Sequence, residues 1–144
     1  MRMSRIIHDM TNLSRVGAQY RTEALEPMGL KGCHASYLME ICACPGISQD
    51  RLARRICINK SNIARQLAVL EEGGFVLRRP SATDKRVMEL YPTDKTLALL
   101  PRLREIMDCW ERYLTQDMSQ EDFARLAPML EAMMNRADAW VDRH

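Results

Sequence analysis

The chain has 144 residues, of which 47% are hydrophobic and 28% are charged, a composition typical of one soluble domain that buries a core. It has no unbroken apolar run of about 18 residues, which excludes a membrane-spanning helix, and its N-terminal segment becomes polar too early for a signal peptide. The net charge of +2 would by itself argue against a nucleic-acid ligand. We therefore expect a cytoplasmic protein without a membrane partner.

Two helices are predicted in the first third of the chain. Apolar residues recur at intervals of three and four over residues 4–25, which is the spacing of an amphipathic helix, and Pro27 lies just beyond its end. Residues 33–43 also carry apolar side chains at helical spacing, and Pro45 ends this second helix.

The next two helices are short and follow each other closely. Ser48 is a candidate N-cap for the first of them, and Asn59 is a candidate N-cap for the second, which runs to about Glu72. Gly73 and Gly74 then supply a left-handed ending for this second helix.

A hairpin is predicted directly after this pair of helices. Residues 75–79 and 86–91 are rich in β-branched and aromatic residues, and residues 80–84 between them have the composition of a turn. Helix, turn, helix and hairpin in this order are the parts of a winged helix-turn-helix, a device that reads duplex DNA.

Two long helices complete the chain. Thr93 caps the first, which carries an apolar stripe from Leu97 to Leu114 and contains Pro101, a residue that should kink it. Ser119 begins a capping box that opens the second. The terminal helices carry more apolar surface on one face than a small DNA-binding domain needs to cover its own core. We therefore expect these helices to pack together in a dimer. Closure of a monomeric core is the alternative.

Together these elements predict a mainly α fold with a small β-hairpin wing. A winged helix-turn-helix DNA-binding region covers residues 33–92, and dimerisation helices cover residues 4–27 and 93–143. No linker, repeat or low-complexity tract interrupts the chain, so residues 1–144 are expected to form a single domain.

The helix that begins at Lys60 has one face suited to reading DNA. On a helical wheel Ile63, Leu67 and Leu70 share the buried sector, and the opposite side carries the short polar groups and the guanidinium that can address base edges in a major groove. Lys60 and Gln66 lie nearer the core sector, where phosphate contact is expected. The residues predicted to read bases are Ser61, Asn62 and Arg65.

The hairpin offers a second contact. Arg86 beside a short turn fits a minor groove, where narrow A·T tracts attract a guanidinium. Asp84 cannot attract phosphate, and we expect it to hold the Arg86 side chain by a salt bridge. Lys85 shares this loop, and Arg78 and Arg79 on the opposite strand are available for phosphates. An ordinary charged surface hairpin is the alternative.

Positive charge is concentrated in this part of the chain. Between Arg51 and Arg86, nine Lys or Arg residues stand against three acidic residues, which gives the segment +6 and leaves −4 for the remainder. A basic block within an acidic protein is typical of a chain that presents one face to a polyanion.

The cysteine pattern indicates neither a disulfide framework nor a metal site. Five cysteines are an odd number in a chain of cytosolic type, and no CxxC pair is present. A zinc site at Cys33 and His34 would need ligands from elsewhere, so we predict buried structural thiols and no metal or cofactor. The cysteines are Cys33, Cys42, Cys44, Cys57 and Cys109.

Over nearly its whole length the chain resembles the MarR family of bacterial transcription regulators. The matching pieces, in order and at the family's spacing, are residues 45–53 (PGISQDRLA), 58–65 (INKSNIAR), 70–76 (LEEGGFV), 78–79 (RR), 84–86 (DKR) and 90–95 (LYPTDK). The family often has a glycine a few residues after the wing, whereas Thr96 follows Lys95 here. That departure lies at the start of the long helix and leaves the DNA-reading positions intact.

The resemblance implies a homodimer whose first and last two helices intertwine. Each subunit would place its recognition helix in a major groove and its wing in the adjacent minor groove of a pseudopalindromic operator in double-stranded DNA. Ser61, Asn62 and Arg65 match the family's base-reading positions, and Asp84 and Arg86 match its wing-tip pair. Most relatives are repressors, released by a small aromatic or phenolic ligand or by cysteine oxidation.

In relatives the effector pocket lies between the dimerisation helices and the reading domain. Core or interface packing is the alternative role for each candidate residue here. Peroxide-sensing relatives carry their reactive cysteine in the first helix, where this chain has none, so oxidation sensing would have to use Cys33 or Cys57. The candidate ligand-binding residues are Arg15, Tyr20, His34, Tyr37, Met107 and Trp110.

No catalytic motif supports an enzyme. The sequence lacks a phosphate loop, a GxSxG, an HExxH and paired carboxylates at a catalytic spacing, and its three histidines are scattered. We therefore predict a regulator with no catalytic residues. Nonspecific architectural DNA binding is the stronger rival, because it would need the same basic surface.

Overall fold

The computed structural model describes residues 3–143, which form six α-helices and three short strands. The chain divides into two compact units, one ending at Asp108 and the other beginning at Cys109. Among the described residues, no helix combines the length and apolar character required to cross a lipid bilayer. The helices are α1 (Met3–Leu25), α2 (His34–Ala43), α3 (Gln49–Arg55), α4 (Lys60–Glu72), α5 (Asp94–Thr115) and α6 (Gln120–Val141), and the strands are β1 (Ile47–Ser48), β2 (Val76–Pro80) and β3 (Met88–Pro92).

The mainly helical fold with a small wing is the predicted one. In the first unit the core is formed by the apolar faces of α2, α3 and α4, by the sheet and by part of α5. The wheel correctly predicted the buried stripe of α4, which is Ile63, Leu67 and Leu70. Each such side chain contributes roughly 1.5–3 kcal/mol of transfer free energy when fully buried.

Three of the predicted helix starts are confirmed by side-chain caps. The Ser48 hydroxyl accepts a hydrogen bond from the Arg51 amide at 3.2 Å. The Asn59 Oδ1 accepts one from the Asn62 amide at 2.8 Å and so opens α4. Ser119 caps α6 in the same way, at 3.1 Å from the Asp122 amide. Each cap satisfies an amide that has no partner within its helix, which is worth about 1 kcal/mol.

The sheet has three strands, whereas the sequence predicted only the hairpin. β1 lies beside β3, which lies beside β2, and both pairings are antiparallel. Ile47 pairs with Leu90, so the residues just before α3 add a third strand to the wing. A strand of two residues has no periodicity to detect. The predicted hairpin strands also began too early, because β3 starts at Met88 and leaves Arg86 in the loop.

The end of α4 differs in detail from the prediction. Gly74, with φ of 76°, adopts the left-handed conformation, whereas Gly73 stays in the right-handed helical region. The Gly74 amide donates to the carbonyl of Glu71, and the Phe75 amide donates to that of Leu70 at 2.9 Å. The chain therefore turns directly from α4 into the wing.

Thr93 begins α5 as predicted, because its hydroxyl accepts a hydrogen bond from the Thr96 amide at 3.3 Å. The helix continues through Pro101 to Thr115. Its buried positions differ from the predicted stripe: Leu103 is buried as expected, but Leu97 is 47% exposed, and Thr96 is buried instead. The Thr96 hydroxyl donates to the Phe75 carbonyl at 2.6 Å, which explains how a polar side chain fits in the core.

The second unit contains the end of α5 and all of α6. Within it α6 buries none of its side chains, although it carries an apolar stripe. Phe123, Leu130, Met133 and Trp140 lie on that stripe, and each is at least one-third exposed. In the first unit, α1 exposes Ile6, Ile7, Met10, Leu13 and Val16. These surfaces are unusually apolar for a monomer.

Candidate nucleic-acid interface

The outward face of α4 presents the predicted base-reading residues. Ser61 and Arg65 are exposed, and Asn62 is half-buried beside them. The Arg65 Nη2 donates to the Asn62 Oδ1 at 3.2 Å, and the Ser61 hydroxyl donates to the Asn59 Oδ1 at 3.0 Å. These contacts hold the side chains above the start of α4, whose free amides and dipole favour an anion.

The wing tip carries the predicted ion pair. The Arg86 Nε and Nη2 donate to the two carboxylate oxygens of Asp84 at 3.0 and 3.1 Å, and the Arg86 amide donates to Asp84 Oδ1 at 3.0 Å. Hydrogen bonds from the Arg86 side chain and then its backbone hold the pKa of Asp84 below its usual value. The Arg86 side chain is still 90% exposed, so it is oriented without being covered. Lys85 is exposed beside it.

The two arginines of β2 face opposite sides of the sheet. Arg79 is exposed, and its guanidinium lies 5.6 Å from the centre of the Tyr91 ring, a distance suited to a cation–π contact. The Arg78 Nε instead donates to the Glu71 carboxylate at 2.7 Å, and only 26% of the Arg78 side chain is exposed. Arg78 therefore joins the wing to α4, a contact that the sequence did not reveal.

Gln66 is also engaged within the protein. Its Oε1 lies 2.8 Å from the Nε2 of His34, which is 1% exposed. The Nδ1 of His34 accepts a hydrogen bond from the Lys31 amide at 3.0 Å. Because Nδ1 is an acceptor, the neutral imidazole carries its proton on Nε2 and donates it to Gln66. Phosphate contact by Gln66 or Arg78 stays a prediction, and the structure gives both residues a second role.

Two further basic residues near the interface have acidic partners. Lys60 Nζ lies 3.6 Å from Asp50, and both side chains are largely exposed, so this pair is weak. Arg55 Nε lies 2.8 Å from the buried Oε2 of Glu40, which ties α3 to α2. Arg55 was counted in the basic segment, but its charge is compensated locally.

Comparison with known proteins agrees with this architecture. Residues 34–88 match the sequence model of the MarR family. The chain superposes on a MarR transcriptional regulator from Methanosarcina mazei Go1 with a TM-score of 0.88 and 25% identity, over 93% of this chain and 96% of that one. Over residues 34–88 the chain is therefore similar to the MarR family. The matched family and the matched fold are those of transcriptional regulators and not of enzymes.

Two other regulators are similar to this chain. A MarR family regulator from Listeria monocytogenes, whose structure contains a 26mer DNA, shares the fold with a TM-score of 0.89 and 19% identity over 92% of this chain and 89% of that one. An uncharacterized HTH-type transcriptional regulator, YybA of Bacillus subtilis, is 37% identical over 68 residues. That match covers 47% of this chain and 45% of the relative, so the chain spans about half the length of the curated relative that it matches.

The predicted effector residues are not all in one unit. Arg15 is exposed on α1, and the Tyr20 hydroxyl donates to the Ile106 carbonyl at 3.0 Å. Met107 is half-buried against the core of the first unit. In the second unit, Trp110 stacks on Tyr113 with a centroid distance of 5.9 Å. A shared ligand site for the six residues stays a prediction.

A cavity of about 260 Å³ lies in the first unit, between the α1–α2 connection and the end of α4. Of the predicted effector residues, His34 alone is among those that line it. Tyr37 is fully buried nearby and packs edge-on against His34, and its hydroxyl has no hydrogen-bond partner among the described residues. Burial, and then the charge of Cys33, raises the pKa of Tyr37 to about 12. Tyr37 therefore stays neutral near pH 7.

The cysteines are free thiols and are less buried than predicted. Cys33 and Cys57 are exposed, and the other three are half-buried. Burial raises the pKa of Cys42, which disfavours its reactive thiolate. The described residues contain no group of metal-ligating side chains that could hold an ion. Cys57 has φ of 55° in the turn between α3 and α4, a left-handed conformation that non-glycine residues seldom adopt.

His34 should make the stability of the protein depend on pH. Burial lowers the pKa of His34 below 6.5, an effect that the hydrogen bond with Gln66 partly offsets. Just below pH 6.5 the unfolded chain therefore binds more protons than the folded one, so the free energy of unfolding falls as the pH falls through this range. Denaturant titrations across it should show the decline, and His34→Gln should remove much of it. An equal decline in the variant would contradict this assignment.

Proposed function

We propose that the chain is a sequence-specific, dimeric DNA-binding regulator of transcription that acts in the cytoplasm as a repressor. The observation that carries the proposal is the arrangement of two exposed basic elements in one winged helix-turn-helix: the outward face of α4 and the oriented Arg86. Arg65 is proposed to read guanine in a major groove, and Arg86 to enter a minor groove. Lys60, Arg79 and Lys85 are proposed to contact phosphates.

The relative with bound DNA supports the choice of ligand, since it has the same fold. Dimerisation is supported by the exposed apolar stripe of α6 and by the exposed apolar residues of α1. A stripe of this kind is stable in water when another helix covers it. A two-fold symmetric dimer would present two copies of α4 to two half-sites of a pseudopalindrome.

Release by a small aromatic or phenolic ligand is part of the proposal. The cavity lined by His34 supports it, and the nearby buried Tyr37 hydroxyl has no hydrogen-bond partner among the described residues, which is unusual for a buried donor. Oxidation of Cys33 or Cys57 is the second candidate, supported by the exposure of both thiols. Ligand screening against a protein–DNA complex, in parallel with peroxide treatment, would separate the two.

Arg65→Ala should relax base preference at one position of each half-site. The lost bidentate contact should cost roughly 1–3 kcal/mol against the preferred base and much less against the other three. Binding to a set of duplexes substituted at one position would measure this. A uniform loss across all four bases would mean that Arg65 contacts phosphate and does not read sequence.

The proposed function is tested by selecting bound duplexes from a random library with the purified protein at near-physiological salt. A specific regulator should recover a pseudopalindrome with half-sites about one helical turn apart. Recovery of an unenriched pool, with an affinity that falls steeply with salt, would instead indicate architectural binding.

A further inference from the structure

Gln66 and Glu71 lie on either side of the buried stripe of α4. At about 100° per residue, Gln66 is roughly 70° to one side of the middle of the stripe and Glu71 roughly 70° to the other. Arg65 is almost opposite the stripe. The two flanking residues thus border the face that packs on the core and do not belong to the outward face.

Gln66 is held by a fixed partner. His34, at the start of α2, is almost fully buried and has a hydrogen bond at each ring nitrogen, one to the Lys31 amide and one to Gln66. Its ring also packs edge-on against Tyr37, which has no exposed surface. Because the His34 side chain is enclosed in this way, its hydrogen bond to Gln66 resists rotation of α4.

Glu71 is held by Arg78, a residue of the sheet. Arg78 lies opposite Leu90 in the β2–β3 register. It is two residues after the buried Val76, so it projects from the same face of β2 as Val76. Leu77 lies on the opposite face. The Arg78 Nε reaches Glu71 at 2.7 Å, which is the length of a strong charge-assisted hydrogen bond.

We propose that these two contacts set the rotation of the recognition helix about its own axis, and that Gln66, Glu71 and Arg78 are positioning residues for base reading. This inference rests on the proposed function. A rotation of about 20° moves a side-chain tip roughly 5 Å from the helix axis by about 2 Å, which is enough to break a base contact. The contacts of the core stripe are non-directional, whereas the two flanking hydrogen bonds restrain the helix in a defined direction from either side.

Glu71→Ala compared with Glu72→Ala tests the proposal. Each variant removes one negative charge from the end of α4, but Glu72 is exposed and makes no hydrogen bond or ion pair among the described residues. General electrostatics therefore predicts slightly tighter DNA binding in both. If Glu71 positions α4, then Glu71→Ala alone should lower the ratio of the affinities for the selected and the scrambled duplex, by roughly three- to tenfold. Equal ratios in the two variants would overturn the proposal.

A charge exchange separates positioning from phosphate contact by Arg78. Glu71→Arg and Arg78→Glu should each lower the affinity ratio, and the double variant should recover it, because the pair is restored with reversed polarity. If Arg78 contacts phosphate, the double variant should stay as weak as Arg78→Glu and should keep a reduced salt dependence, which would overturn the proposal. Thermal unfolding of each variant controls for general destabilisation.

The wild-type protein is measured on the same two duplexes. This measurement separates failure of the positioning role from failure of the proposed function. A wild type without preference for the selected duplex would refute sequence-specific binding, and the positioning role with it. A wild type with a clear preference, combined with an unchanged ratio in Glu71→Ala, would refute the positioning role alone.

Discussion

Leu67→Ala is expected to lower the free energy of unfolding by roughly 2–5 kcal/mol. Leu67 lies at the centre of the buried stripe of α4 and has no exposed surface. Its removal leaves a cavity between the recognition helix and the rest of the first unit, and a close-packed core can fill such a cavity only in part. Chemical denaturation followed by circular dichroism would measure the change.

Val69→Ala is the matched control for this experiment. Val69 is on the same helix but is 40% exposed, so its truncation should cost well under about 1 kcal/mol, as is usual at the surface. If Leu67→Ala were no more destabilising than Val69→Ala, the assignment of the core face of α4 would be wrong. The orientation of the proposed DNA-reading face would then be wrong as well.

Leu130→Asp is expected to convert the proposed dimer into monomers and to reduce DNA affinity by about 10²- to 10⁴-fold. In a two-fold symmetric dimer the substitution places two carboxylates in an apolar contact, and burial of unpaired charges is strongly unfavourable. A monomer then holds a single half-site and loses the advantage of two linked contacts. Light scattering would report the assembly, and anisotropy with a labelled duplex would report the affinity.

Ala132→Asp provides the control, because it adds the same charge to α6 about 160° away from Leu130. Both residues are exposed in the isolated chain, so neither substitution should unfold the helix. We expect Ala132→Asp to remain dimeric and to bind DNA with nearly unchanged affinity. Two variants that dissociate equally, or that both stay dimeric, would contradict dimerisation through the apolar stripe.

Local chemistry accounts for the features that could be predicted from sequence. Ser48, Asn59 and Ser119 were predicted as caps, and each accepts the expected amide hydrogen bond. The pairing of Asp84 with Arg86 was predicted for the same reason, since the two residues are separated by one position in a tight loop. In all these cases donor and acceptor are close in sequence, so no tertiary information is needed.

The features that were missed depend on partners far along the chain. Ile47 becomes a strand only because Leu90 lies beside it, and Gln66 meets His34 across 32 residues. A helical wheel places Gln66 at the edge of the core sector, but it cannot tell whether water, phosphate or a buried imidazole lies there. For the same reason, aromatic residues at helical spacing could not establish an effector pocket.

The most direct test of a dimer that reads two half-sites is to lengthen the spacer of its selected duplex. Insertion of about five base pairs turns one half-site to the opposite side of the DNA, because B-DNA repeats every 10–10.5 base pairs. We predict that this insertion lowers affinity by about 10²-fold or more, nearly to the level of a scrambled duplex. Unchanged affinity after the insertion would contradict simultaneous reading of two half-sites by a rigid dimer.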